Sequence, residues 1–281
     1  MAWVESVSPS FLARHESEEA GDAARVLELL ERAREGLAPL FPHVPDEVAV
    51  VLHGSEIALH LAQPYLVLLR VGTAPAARRY LAGWYSSGEL HVLSPRRLAK
   101  RASSVQGSRE MLTLAPAALY ARLVIGASNP ELPPPFTPRS LLRAARWAWL
   151  GEGAAAFFSG QTARSRPAIA RRLREGGPPD FPPGLRDATL LGGTVLDLLA
   201  REEGVPAAAR LASKLHPGGA RAALTQAFGG RPIARTESAW RAHLERLAER
   251  SNSGPVGRRR RVRSGSAQQL GSEPEDAGEQ E

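Results

Sequence analysis

The chain has 281 residues, of which 43% are hydrophobic and 23% charged, and its net charge is +7 at pH 7. This composition is typical of a globular protein and excludes collagen-like, coiled-coil and wholly disordered chains. The absence of cysteine excludes disulfides, cysteine-ligated metal sites and a thiol nucleophile. The basic excess is almost entirely arginine, a usage common in GC-rich genomes, so net charge alone does not indicate a nucleic-acid or acidic-membrane partner.

The N-terminal third predicts a small mixed α/β layer. Residues 1–19 carry four glutamates and lack an apolar core of signal-peptide length, so we interpret residues 1–21 as a poorly ordered leader that is not a secretory signal. Residues 22–37 have apolar positions at helical spacing and predict an amphipathic helix. Short apolar runs predict strands at 48–53 and 66–71, with a short helix at 55–62 between them.

A hairpin completes this layer, and the pattern then becomes helical. Residues 80–85 and 89–94 flank a Ser-Ser-Gly turn, which predicts two antiparallel strands. Residues 109–125 are strongly apolar and predict a helix in which Pro116 marks a kink or a late start. After a proline-rich loop, Thr137-Pro138 predicts the N-cap of a helix or helix pair that runs to residue 158.

The remaining chain predicts further helices and a charged tail. The expected helices are 189–203, 206–215, 221–228 and 236–250, the last with Thr236 as its cap. From residue 251 the apolar content collapses, which predicts a disordered tail over 251–281. Its candidate anion-binding residues are Arg258, Arg259, Arg260, Arg261 and Arg263. The predicted domain therefore spans 22–250, with an α/β part to residue 101 and a helical part over 102–250.

The most informative local segment is Trp149-Leu-Gly-Glu-Gly-Ala-Ala-Ala-Phe-Phe158. Glu152 lies between two glycines in an otherwise apolar helical pattern. An ionised carboxylate is costly to bury without a partner. Glu152 is therefore expected to cap a helix, to form an ion pair or to belong to a functional site.

This segment resembles the Trp-Leu-x-Glu-Gly-x-Ala-x-Tyr segment of the peptidase MA-like, or gluzincin, zinc metallopeptidases. In that family the glutamate is the third zinc ligand, on a helix that follows a His-Glu-x-x-His motif. Residues 88–95, 192–199 with 203–204, 224–229 and 237–244 are similar to other elements of the family, so the resemblance covers approximately 22–250. It implies an α+β fold with a small N-terminal mixed sheet and helix, followed by a mainly helical gluzincin-like half.

The sequence departs from this family in the helix that should carry the zinc ligands. The preferred register places Ala118 and Arg122 at the two histidine positions and Leu119 at the glutamate position. A register one residue later places Leu119 and Leu123 at the histidine positions, so the ligands are absent in both. Zinc catalysis needs about three protein ligands, and the cationic Arg122 would repel a divalent ion. We therefore expect no zinc, no other cofactor and no catalytic residue.

Two interpretations of this degenerate site stay open. In the first, Arg122 forms an ion pair with Glu152 that stands in place of the metal. In the second, Arg122 points to solvent and Glu152 is hydrogen-bonded to backbone. Trp149 and Gly153 are the candidate cleft-lining residues. The predicted protein is a non-hydrolytic pseudopeptidase that acts in binding or regulation, with a peptide or protein in its cleft as partner.

Two other functions are compatible with the sequence. An active hydrolase could use an unrecognised site, for which His43, His53, His60 and His91 are the first suspects, although scattered histidines are more often surface or hydrogen-bonded residues. An interaction protein could bind nucleic acid or an anionic surface through its Arg-rich tail. No apolar stretch approaches the roughly 18 residues that cross a bilayer, so no membrane span and a cytoplasmic location are expected.

Overall fold

The structure is a computed structural model that describes residues 3–132 and 137–252. It confirms the α+β fold class, with a five-stranded mixed sheet in the N-terminal part and helices in the remainder. The strands are β1 (Trp3–Val7), β2 (Phe11–Glu16), β3 (Val48–His53), β4 (Gly83–Ser86) and β5 (Glu89–Leu93). Their order is β1-β2-β3-β5-β4, with β2, β3 and β5 parallel and the two edge strands antiparallel to their neighbours.

The prediction of an N-terminal leader was wrong. Residues 3–16 form β1 and β2, which pair with Trp3 opposite Glu16. In β2, Phe11, Ala13 and His15 are buried, whereas the alternate residues are not. This period of two is that of a half-buried strand, and the charged residues on its outer face gave the segment the appearance of a polar leader. The described part of the domain therefore includes residues 3–16.

Most helices form where the sequence predicts them. Their bounds are α1 (Ala20–Leu37), α2 (Glu56–Ala62), α3 (Pro64–Gly72), α4 (Pro75–Arg78), α5 (Pro95–Arg101), α6 (Ser108–Thr113), α7 (Ala115–Ser128), α8 (Pro138–Arg146), α9 (Ala148–Phe158), α10 (Gln161–Arg164), α11 (Arg166–Glu175), α12 (Leu185–Glu203), α13 (Val205–Ser213), α14 (Gly219–Ala227) and α15 (Ile233–Asn252). Pro116 lies in the first turn of α7, which confirms the late start. Thr137 caps α8 through a reciprocal pair of hydrogen bonds with Ser140.

Two local predictions were wrong. Residues 66–71 belong to α3 and form no strand, because Pro64 pre-sets the first helical turn and a six-residue apolar run has no diagnostic periodicity. Thr236 lies within α15, which begins at Ile233, and the amide of Thr236 donates to the carbonyl of Pro232 at 3.2 Å. The arginine run of the predicted tail lies outside the described residues. Within them, no helix is both long enough and apolar enough to cross a membrane.

The crossing of α9 and α12 fixes the orientation of α9. A Cβ atom added to Gly153 would lie 2.4 Å from the carbonyl carbon of Gly192, and one added to Gly192 would lie 2.5 Å from the carbonyl oxygen of Trp149. The two helix backbones are thus in direct contact, which only glycine permits. Because Gly153 faces α12, the preceding residue, Glu152, is directed to a different side of α9, where it lines a cleft.

Candidate functional site

The degenerate positions of the resemblance lie in a cleft between the edge strand β4 and helices α7 and α9. Ala118, Leu119 and Arg122 of α7 line this cleft together with Glu152 of α9. Leu123 is buried in the hydrophobic core and is not among the described residues that line the cleft. In α7, Ala118 and Arg122 therefore face the cleft, as the preferred register requires, whereas Leu123 of the alternative register does not.

The cleft contains two adjoining cavities, of about 60 Å³ and about 310 Å³. Both are lined by Leu69, Trp84, Tyr85, Arg122 and Glu152. The larger cavity has a size typical of small-ligand sites and is otherwise apolar. Its remaining lining residues are Tyr65, Leu68, Leu141, Leu142, Ala144, Ala145, Ala148 and Leu185.

Arg122 is the buried charge of this cleft. Its side chain is 5% exposed, and its Nε atom lies 3.5 Å from Oε1 of Glu152, whose side chain is 27% exposed. The guanidinium carbon lies 5.2 Å from the centre of the Tyr85 ring, a distance typical of cation–π contacts. The structure thus brings Arg122 and Glu152 together, and the interpretation in which Arg122 points to solvent is wrong.

This ion pair leaves hydrogen-bonding capacity unused. A contact of 3.5 Å is too long for a strong hydrogen bond. Within the described part of the chain, Nε and Nη1 of Arg122 and the hydroxyl of Tyr85 are buried and have no hydrogen-bond partner. We call these three groups the open donors. Native proteins leave few buried polar groups unpaired, and each such group calls for an explanation, such as a bound water, an ion or a functional role.

The Tyr85 hydroxyl is a neutral donor at physiological pH. Burial raises the pKa of Tyr85 to about 12; the charge of Arg122 opposes this shift and that of Glu152 adds to it. The cleft therefore offers donors from Arg122 and Tyr85 and an acceptor from Glu152 within an apolar surrounding. Such an arrangement can orient a polar group of a ligand.

The two glycines that flank Glu152 are needed for different structural reasons. A Cβ atom on Gly151 would lie 2.7 Å from both Cζ and Nη2 of Arg122, so this glycine leaves the space that the guanidinium fills. Gly153 instead permits the contact with Gly192 of α12. The sequence identified this segment, but neither reason was visible without the neighbouring helices.

The prediction that Trp149 and Gly153 line the cleft was wrong. Neither residue lines either of the two cavities of the cleft. Trp149 and Gly153 are four residues apart on α9 and therefore share a face, and both contact Gly192 of α12 through their backbones. Tyr85 lines both cavities and was not predicted as a site residue, although the aromatic pair Trp84-Tyr85 in the predicted hairpin strand was a signal for a cleft wall.

The residues present do not fit a zinc site. Ala118 and Leu119 have no lone pair to offer, and the guanidinium of Arg122 lies beside the carboxylate that the resemblance assigns as a ligand. Across the residues that the structure describes, no group of three or more His, Cys, Asp or Glu side chains could hold a metal ion.

Two of the N-terminal histidines meet on one face of the sheet, where both are buried. Nε2 of His53, at the end of β3, lies 3.0 Å from Nδ1 of His91 in β5, and Nε2 of His91 lies 3.1 Å from Oε2 of Glu89. His60 contacts an arginine of α3 instead, and His43 is exposed. The four histidines suspected from the sequence therefore do not form one site.

We expect His53 to make the protein less stable in mild acid. Burial and the adjacent His91 lower the pKa of His53 to about 4, against the opposing effect of Glu89. In the unfolded chain this pKa is about 6.5, so between these values the unfolded state binds more protons and the free energy of unfolding rises with pH. Above about pH 6.5 His53 is neutral in both states and does not affect the free energy of unfolding. As the pH falls toward 4, protonation of His53 in the unfolded chain lowers the free energy of unfolding by about 3 kcal/mol in all.

The measurement is urea unfolding followed by circular dichroism across this pH range. His53→Gln removes the titrating group and should flatten the dependence of the unfolding free energy on pH. His43→Gln, at an exposed position, is the matched control and should keep the slope of the unmodified protein. Equal slopes in all three proteins would contradict the role assigned to His53.

Comparison of the sequence with protein-family models gave no match, and comparison with curated proteins gave none. The function is therefore inferred from the chemistry of the cleft, together with the resemblance in the helix segments that form it. Those segments are α7 and α9, which supply Arg122 and Glu152.

Proposed function

We propose that this chain is a degenerate peptidase MA-like protein that binds a peptide in its cleft without hydrolysing it. The observation that carries the proposal is the buried contact of Arg122 with Glu152, at positions that the resemblance assigns to zinc ligands. A guanidinium at such a position repels a divalent cation and supplies hydrogen-bond donors in its place. The adjoining apolar cavity offers room for ligand side chains.

The edge strand β4 supports a peptide as the occupant. β4 lies at the end of the strand order, so one side of its backbone is unpaired in the sheet that the described residues form. An extended peptide can add to such an edge through main-chain hydrogen bonds, while its side chains enter neighbouring pockets. Trp84 and Tyr85 of β4 line both cavities, so the strand edge and the pockets adjoin.

The same residues account for the absence of hydrolysis in this proposal. Peptide hydrolysis needs a group that removes a proton from the attacking water. Leu119 stands at the position that the resemblance assigns to that group, and the carboxylate of Glu152 is in contact with a permanent cation. The cleft then retains recognition and lacks the means to activate water.

A binding and cleavage assay tests the proposal. The protein is dialysed against EDTA and then incubated with synthetic pentapeptides randomised over alanine, valine, leucine and phenylalanine, as free acids and as amides. We expect retention of peptides in equilibrium dialysis, no cleavage products by mass spectrometry, and no change in either result when zinc is added. Zinc loading followed by dialysis should leave far less than one zinc per chain.

Two variants of α8 control for the location of binding. Ala145→Trp fills the larger cavity and should abolish retention, whereas Arg139→Trp, on an exposed part of the same helix, should not. Cleavage that EDTA abolishes, or a stoichiometry of about one zinc per chain, would overturn the non-hydrolytic proposal. Absence of retention for every peptide would overturn the peptide-binding proposal.

A further inference from the structure

The structure assigns a ligand chemistry to this cleft, and we infer that Arg122 binds the C-terminal carboxylate of the peptide. The apolar side chains of the last peptide residues then occupy the larger cavity, and the preceding backbone runs along β4. This inference rests on the proposed peptide-binding function. It goes beyond that function because it names the end of the peptide that is recognised and the residue that recognises it.

The open donors favour an acceptor-only group. Arg122 contributes two of them and Tyr85 the third, and both residues line the two cavities. Buried donors without partners are unfavourable. A ligand that supplies acceptors to them therefore binds with a more favourable free energy. A carboxylate has acceptors only, so it can accept from Arg122 and from Tyr85 without bringing a donor of its own into the site.

The charge of the buried pair also favours an anionic group. Glu152 is 27% exposed, whereas Arg122 is 5% exposed, so water hydrates the carboxylate of this pair better than the cation. Arg122 is therefore the charge of this pair whose loss of hydration is less well compensated. The net charge of +7 resides in residues 1–250, because the five arginines and five acidic residues of the tail cancel, and this excess attracts anions over longer distances.

The position of Arg122 relative to the cavity identifies the end of a peptide. The guanidinium lies in the wall of a cavity of about 310 Å³ whose other walls are mainly leucine, alanine and aromatic side chains. A C-terminal carboxylate has an apolar side chain on the adjacent carbon, which suits this combination. Tyr85 belongs to β4 itself, so a contact to the carboxylate and pairing with the strand edge come from the same element. A fatty acid has no backbone groups for that edge.

Matched ligands test the inference by isothermal titration calorimetry at pH 7. The probes are acetyl-Ala-Leu-Phe-Leu with a free C-terminal carboxylate and the same peptide as its C-terminal amide. We expect the free acid to bind about tenfold more tightly or better, because only it supplies the charged acceptor. In Arg122→Met this preference should fall to about twofold or less, and in Tyr85→Phe it should fall by about threefold.

Glu152→Gln provides a variant that should change the preference in the opposite direction. It removes the negative charge that competes for Arg122, so the free acid should bind more tightly while the amide changes little. Circular dichroism confirms that each variant is folded before titration. Because Tyr85→Phe and Glu152→Gln leave Arg122 in place, the inference stays testable if Arg122→Met fails to fold.

The outcomes separate this inference from the proposed function. Equal binding of acid and amide by the unmodified protein would overturn the carboxylate contact and leave peptide binding intact. Binding of neither peptide would overturn the peptide-binding proposal and this inference with it. Binding of decanoate, tested in parallel, without binding of either peptide would assign the carboxylate to a lipid and overturn the peptide as its source.

Discussion

Gly192→Ala is expected to lower the free energy of unfolding by about 3 kcal/mol. The added methyl carbon would lie 2.5 Å from the carbonyl oxygen of Trp149 and 2.9 Å from the Cα atom of Gly153, so it meets backbone that cannot rotate away. Relief requires α9 and α12 to separate. Urea unfolding followed by far-ultraviolet circular dichroism measures the loss.

Gly36→Ala is the matched control for this substitution. Gly36 lies near the end of α1, and a Cβ atom there would have no neighbour within 4 Å among the described residues. The same methyl group should therefore raise the unfolding free energy by about 0.5–1 kcal/mol, because alanine is the better helix former. If Gly192→Ala left the unfolding free energy unchanged or raised it as Gly36→Ala does, this result would contradict the close crossing of the two helices.

The two partners of the buried ion pair should respond unequally to substitution. Glu152→Gln is expected to lower the unfolding free energy by about 2 kcal/mol at pH 7, because it leaves the guanidinium of Arg122 buried without a counter-charge. The partial exposure of Glu152 keeps this below the full cost of breaking a buried pair. Arg122→Met should change the unfolding free energy by about 1 kcal/mol or less, since it also removes the open donors on Arg122.

A double-mutant cycle isolates this interaction. In the Arg122→Met background, Glu152→Gln should change the unfolding free energy by less than about 0.5 kcal/mol, because a partly exposed carboxylate without a buried cation is hydrated by water. Urea unfolding of the four proteins gives the coupling. A larger loss for Arg122→Met than for Glu152→Gln would show that Glu152, and not Arg122, is the partner that depends on the contact.

The cleft connects stability with the proposed binding. The open donors are a cost in the free protein that a ligand can relieve, so the substitution that tests binding most directly, Arg122→Met, is also one that the fold should tolerate. Gly151 is part of this arrangement, because it gives the guanidinium the space beside α9. In the proposed function, the ligand supplies the acceptors that these donors lack in the free protein.

The sequence by itself determined the features that local pattern encodes. Helical spacing located α1, the turn residues located the β4–β5 hairpin, and Pro116 located the start of α7. The residue types also determined that the helix carrying Arg122 has no zinc-ligating side chain at the expected positions. These conclusions depend on the chemistry of single residues and on periods of two or about 3.6 residues, which need no knowledge of distant segments.

Only the tertiary structure decided the features that depend on contacts between distant segments. It placed residues 3–16 in the sheet, made α3 a helix, and brought Arg122 against Glu152 and Gly151 from another helix. It also showed that Gly153 faces α12 and that Tyr85 completes the cleft. The physical reason is that periodicity shows which face of an element is apolar, whereas packing between elements decides what that face contacts.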